Sequence, residues 1–148
     1  MGMPVEERLG ADVKRVEHEL MAAKLVAVRP AGLTVAQYSA LLVLAGQPGV
    51  SAAELARRCR VTPQTMTTIL RNLEAAGLIV REPHELHRNV LETRLTDAGR
   101  TAFELADERA SAVERRLSDE FSAAERETLR ALLARCSDVL GNLPTDVS

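Results

Sequence analysis

The chain has 148 residues, 46% of them hydrophobic and 27% charged, with a formal net charge of −2. That length fits one domain, or one compact module carrying helical extensions. No apolar run approaches the ~20 residues of a membrane span. The opening MGMPVEERLG has no apolar signal core, so a cytoplasmic protein without membrane contact is expected.

Aromatic residues reduce to Tyr38, Phe103 and Phe121. The core must therefore be aliphatic, which favours helices. Cys59 and Cys136 lie far apart without metal-ligand spacing, as expected of reduced, packed thiols. Charge is unevenly placed. Ser51 to Arg100 holds 8 basic and 6 acidic residues, a balance of +2, and the remainder is −4. A mildly basic centre thus lies between acidic flanks, and phosphate contacts depend on that local pattern.

Val5 to Val28 carries Leu9, Val13, Val16, Leu20 and Ala23 at spacings of 4, 3, 4 and 3, which make one helical stripe. Pro30 and Gly32 end it. Thr34 caps a second helix reaching about Ala45, and Gln47-Pro48-Gly49 is a turn. Ser51 and Glu54 have capping-box spacing, so a short helix runs from Ala52 to about Cys59. Thr62 caps the next helix, with Pro63 at its first position, and Gly77 stops it.

Leu78–Glu82 and Asn89–Leu95 are the expected strands, joined by the loop Pro83–Arg88. Thr96 caps a long helix whose seam is Phe103, Ala106, Ala110, Val113 and Leu117. Ser122 and Glu125 form a capping box for the last helix, which carries Leu129, Leu132, Leu133, Cys136, Val139, Leu140 and Leu143. Two short helices and a two-stranded ribbon define a winged helix-turn-helix. The predicted fold is mainly α (α+β winged helix), one domain over 1–148. A DNA-binding lobe spans 33–100, flanked by dimerisation helices over 4–29 and 101–145.

The terminal helices have stronger seams than one small chain can cover. Leu9, Val13 and Val16 at one end, and Leu129, Leu132, Leu133, Cys136, Val139 and Leu140 at the other, are the expected interface of an intertwined homodimer. A monomeric bundle with folded-back termini is the alternative. In the helix after Thr62, the residues Met66, Ile69, Leu70 and Leu73 face inward. Thr62, Pro63, Gln64, Thr65, Thr67, Thr68, Arg71 and Asn72 face outward. Solvated faces are usually rich in Lys and Glu, and this one is rich in threonine, a mediocre helix former. Gln suits adenine, Arg suits guanine, and a threonine methyl can meet the thymine methyl.

On the ribbon tip, Arg88 is expected at the minor groove or a phosphate, with His87 and Asn89 beside it and His84 as a further candidate. Arg57 and Arg58 either hold phosphates or stand as solvated charges. His84 and His87 lack a third metal partner, so no metal and no cofactor are expected. Catalysis is not expected either. There is no Ser/His/Asp arrangement, no phosphate-cradling glycine loop and no metal cluster.

The stretch SAAELARRCRVTPQTMTTILRNLEAAGLIVRE, followed after the ribbon by LETRLTDAGR, resembles the MarR family of bacterial transcription regulators. The preceding LTVAQYSALLVLAGQPG is similar to that family's second helix. By motif the resemblance covers Leu33 to Arg100, and by element order the whole chain. It implies a homodimer that binds double-stranded DNA at a palindromic operator, as a repressor released by a small aromatic or phenolic effector. His18, Met21, Tyr38, Leu42 and Phe103 are the expected effector pocket, each with core packing as its other reading. The chain departs from the family at the wing. Where Asp, any residue, Arg is common, it has His87, Arg88 and Asn89. Members that sense oxidants carry a first-helix cysteine, and this chain has none there. A constitutive DNA binder without effector and a winged-helix protein-interaction module are the alternative functions.

Overall fold

The structure, a computed structural model, describes residues 1–143. The end of the 101–145 segment, residues 144 and 145, falls outside the described residues. The chain divides into two compact units, Met1–Val113 and Glu114–Ser148. Among the described residues no single helix is long and apolar enough to cross a membrane.

In the first unit, α1 spans Leu9–Val28 and α2 spans Val35–Gly46. A helix starting at Val5 is corrected to a separate three-residue turn, Val5–Glu7, because Arg8 is extended (φ −85°, ψ 105°) and breaks the run. Gly32 takes φ +76° and turns the chain between α1 and α2. Thr34 and Gln37 close a full capping box on α2, satisfying N–H groups the helix leaves open.

Helices α3 (Ala52–Cys59) and α4 (Pro63–Ala75) follow. Gly77, at φ +75°, ends α4, and the Leu78 N–H returns to the Leu73 carbonyl at 3.0 Å. This is the closure expected when a left-handed residue follows a helix. Strands β1 (Ile79–Pro83) and β2 (Leu91–Leu95) pair antiparallel, Ile79 opposite Leu95 and Pro83 opposite Leu91. The expected strands were longer at two ends. Leu78 is lost to the helix closure, and Asn89 and Val90 to a turn in which the Val90 N–H meets the His87 carbonyl at 2.9 Å.

Helix α5 covers Asp97–Asp119. Its start is bound to the turn before β1. The Thr96 hydroxyl accepts from the Gly99 N–H at 3.0 Å and donates to the Gly77 carbonyl at 2.6 Å. The core of this unit is aliphatic, as expected. Val28, Leu41, Leu44, Leu55, Met66, Leu70, Leu73 and Ile79 are buried together with Ala106 and Ala110 of α5. All four helices up to α4 and the base of the ribbon feed one cluster, so α4 is fixed from behind.

In the second unit, α6 spans Ala123–Gly141 behind a complete Ser122–Glu125 capping box. Two hydrogen bonds from Ser122 to Glu125 hold that carboxyl below its usual pKa. Leu129, Leu132, Leu133, Val139 and Leu140 are all exposed, Leu132 at 47% and Leu140 at 66%. No residue of α6 is buried. Its apolar face has the spacing of a packed seam but lacks a cover within the described chain.

Candidate nucleic-acid interface

The inward and outward faces of α4 separate as the spacing predicts. Met66, Leu70 and Leu73 are fully buried and Ile69 nearly so. Thr62, Pro63, Gln64, Thr65, Thr67, Thr68, Arg71 and Asn72 are all exposed. The threonines serve the helix as well as its surface. Thr62 Oγ1 accepts from the Thr65 N–H at 3.1 Å, which caps α4. Thr67 donates to the Pro63 carbonyl at 2.9 Å and Thr68 to the Gln64 carbonyl at 3.3 Å. With their protons engaged backward, these side chains turn methyl groups and oxygen lone pairs outward. That surface suits thymine methyls and exocyclic amino groups better than phosphate oxygens, which need donors. Arg71 makes no side-chain hydrogen bond or ion pair among the described residues, so its guanidinium fork is available.

The preceding helix corrects one expectation. Ser51 accepts from the Glu54 N–H at 3.2 Å, but no reciprocal bond returns from the Glu54 carboxylate. That carboxylate binds Arg57 and Arg58 instead, the latter at 3.0 Å. Hydrogen bonds from Arg57 and then Arg58 hold Glu54 below its usual pKa. Both arginines are thus already paired. Arg60 lies between α3 and α4, exposed, at φ +56°. It makes no side-chain pair among the described residues. The expected contacts did not include it, although a cation two places before the capping threonine is plain in the sequence.

At the ribbon tip, His87, Arg88 and Asn89 are all exposed. Arg88 and Asn89 occupy the two central positions of the turn closed by His87 and Val90. Arg94 is tied to Glu92 at 2.7 Å, and Arg88 makes no side-chain pair among the described residues. His84 and His87 stack obliquely, with centroids 5.4 Å apart. Among the described residues no group of three or more His, Cys, Asp or Glu is placed to hold a metal ion.

Two of the five expected pocket residues meet. Tyr38 and Phe103 stack with centroids 6.1 Å apart and planes within 15°. The Tyr38 hydroxyl donates to Asp107 Oδ1 at 2.6 Å. Met21 is half-buried, and His18 and Leu42 are exposed. Asp107 was not anticipated. The bond spans 69 positions of sequence, and no local pattern predicts it. Cys59 is half-buried, and burial raises its thiol pKa. It is held as thiol, the unreactive form. Cys136 is exposed.

Two helices, the second with one face buried and the other exposed, and a two-stranded wing define a winged helix-turn-helix, a DNA-binding class. The profile of the MarR family matches residues 31–88. The HTH-type transcriptional repressor Rv2887 of Mycobacterium tuberculosis is 33% identical over 135 residues, covering 91% of this chain and 97% of the relative. The crystal structure of that M. tuberculosis MarR family protein with p-aminosalicylic acid superposes with a TM-score of 0.67, over 88% of this chain and 98% of the other, at 33% identity. A structure of the transcriptional repressor CouR bound to a 23-mer DNA duplex has a TM-score of 0.79 at 29% identity, over 93% and 99% of the two chains. This chain belongs to the MarR family of winged helix-turn-helix transcription regulators.

Proposed function

We propose that the chain acts as a homodimeric repressor on a palindromic operator and that a small aromatic or phenolic molecule releases it. The observation that carries the reading is the divided α4. Its buried face is locked into the core, and its outward face presents Gln64, Thr65, Thr68, Arg71 and Asn72 without a covering element. Residues 33–100 form the DNA-binding lobe, with Arg88 at the minor groove or backbone and Arg60 on phosphate.

The unpartnered apolar faces support the dimer. Leu9, Val13 and Val16 of α1 are exposed, as are the leucines of α6. Contiguous exposed seams of this kind mark association surfaces. Residues 4–29 and 101–145 supply the interface, with Cys136 inside it. A two-fold dimer presents two recognition helices about 34 Å apart, one turn of DNA. An effector acts by preferring a different separation, which shifts the population away from the bound form.

The Tyr38–Phe103 stack, held by Asp107, supports an aromatic effector site in which Met21, His18 and Leu42 are the neighbouring candidates. The similarity to a repressor solved with p-aminosalicylic acid supports the same chemistry. Fluorescence anisotropy with DNA fragments from beside the chain's own gene tests the reading. Tight, sequence-selective, salt-sensitive binding that weakens on adding salicylate or p-aminosalicylate is expected. Selective binding that no aromatic acid or phenol weakens would make the chain a constitutive binder. Absence of selective binding would leave a protein-interaction module.

A further inference from the structure

The wing carries a histidine whose ring is engaged on both sides. His84 Nδ1 accepts from the backbone N–H of Leu86 at 3.0 Å and from that of His87 at 3.2 Å. An imidazole nitrogen that accepts carries no proton, so the ring is the neutral tautomer protonated on Nε2. Nε2 lies 3.3 Å from Glu92 Oε1, and the other Glu92 oxygen takes Arg94 at 2.7 Å. The backbone of His84 donates to the Val90 carbonyl at 2.8 Å. The ring is therefore anchored on the last rung of the ribbon and reaches forward to fix the loop carrying Arg88.

We propose that His84 is the positioning residue of the wing: in its neutral form it holds the tip that presents Arg88 to DNA, and protonation releases that tip. The proposal rests on the reading of the wing as a DNA contact. Protonation places a hydrogen on Nδ1, directly opposite the two N–H donors it now serves. Both hydrogen bonds are lost together. Nε2 keeps its partner, because an imidazolium binds the Glu92 carboxylate more strongly than a neutral ring does. The ring stays on the ribbon and the loop lets go.

The charged groups around the ring act in opposition. Glu82 on β1, Glu85 in the loop and Glu92 on β2 favour the imidazolium, while Arg94 on β2 disfavours it, and all four line the same hollow as His84. His87 is the other histidine beside the ring, with centroids 5.4 Å apart. The two amides at Nδ1 favour the neutral form. Proton uptake at Nδ1 and release of the loop are therefore one event.

The test uses the full-length protein and a DNA duplex chosen by selection from a random pool. Anisotropy at about pH 8 and about pH 5.5 brackets histidine titration. Wild type should bind about fivefold to thirtyfold more weakly at the lower pH, the loss expected for two tip hydrogen bonds. His84→Asn should keep the high-pH affinity and lose the pH dependence. Its amide oxygen can accept from the N–H groups two and three residues on, and it does not titrate. His84→Ala should bind at both pH values like wild type at the lower one. His87→Ala should retain the wild-type drop.

In the DNA-free protein, the Leu86 and His87 amide resonances should shift along the His84 ring titration. Amides that stay fixed, or a His84→Asn variant as pH-sensitive as wild type, would overturn the proposal. Arg88→Ala separates it from the wing reading. If Arg88→Ala leaves affinity unchanged, the wing is not at the DNA. If Arg88→Ala weakens binding while His84→Ala does not, the role of His84 alone fails.

Discussion

A single methyl group at Gly99 should force the start of α5 off the turn before β1. A Cβ built there lies 1.9 Å from the Leu78 carbonyl oxygen and 2.8 Å from its carbon, where real contacts do not fall below 3.0 Å. The shortfall is 3.0 − 1.9, or 1.1 Å. The obstacle is backbone, so no side-chain rotation relieves it. That same oxygen accepts the Thr96 N–H at 3.1 Å, and the Thr96 hydroxyl holds the Gly77 carbonyl at 2.6 Å. Opening the contact loses both bonds, about 1 kcal/mol each net. Overpacking adds about 1–3 kcal/mol, and the better helix propensity of alanine returns about 1 kcal/mol. Gly99→Ala should therefore destabilise the protein by about 2–4 kcal/mol. At this chain length that lowers the melting temperature by roughly 6–12 °C, measured by circular dichroism. Arg100→Ala, next in line and exposed, should change stability by no more than about 0.5 kcal/mol. A Gly99→Ala protein that melts with wild type would refute the close-approach argument.

The remaining predictions concern DNA contact and association. Arg71→Ala should cost about 1–3 kcal/mol on the preferred duplex and relax base choice at one position; an unchanged selection profile would remove Arg71 from the base edges. Arg60→Gly should raise stability by about 0.5–1 kcal/mol, because glycine adopts the left-handed φ without the Cβ penalty. It should also weaken DNA binding, and a duplex affinity equal to wild type would take Arg60 off the phosphates. If the proposed dimer forms, Leu132→Glu should convert it to monomer in sedimentation and speed alkylation of Cys136, while Cys59 stays slow in both forms. A Leu132→Glu protein that still sediments as a dimer would move the interface elsewhere.

Local rules carried most of the fold because most of its punctuation is local. Ser51, Thr62 and Ser122 each accept from a backbone N–H three residues on, and the inward face of α4 follows from spacing alone. Expectation and structure part where two local rules compete. Glu54 could close a box on Ser51 or pair with Arg57 and Arg58. Two guanidiniums, each a charge-assisted donor, outcompete one backbone amide. The ribbon's ends were misjudged because strand pattern does not reveal that Leu78 returns to α4 or that Val90 closes the tip turn. Within the candidate site, the outward face of α4 was legible. The Tyr38–Asp107 bond was not, because it depends on how α2 and α5 pack. Gly99 was visible only as part of a family motif, and its reason appears once the Leu78 carbonyl is in place.

The pairing of cations also limits how the protein can hold DNA. The weakly basic balance of the lobe overstates its free charge, since Glu54 binds Arg57 and Arg58 and Glu92 binds Arg94. Arg60, Arg71 and Arg88 remain as the exposed arginines around α4 and the wing tip without a described partner. If each contacted one phosphate in each half of a dimer, the duplex would release counterions from about six phosphates. The logarithm of affinity would then fall against the logarithm of salt with a slope of about −5. Arg71 on a base rather than a phosphate makes that slope shallower, toward about −4. On that count non-specific binding would be weak, and discrimination would depend on the threonine-lined face and the shape of the groove. A measured slope near −10 would require Arg57 and Arg58 to leave Glu54 on binding. Glu54→Gln separates the cases. It frees both arginines, so it should tighten non-specific binding and steepen the slope if they are masked in the wild type. It should change neither if they already sit on the backbone.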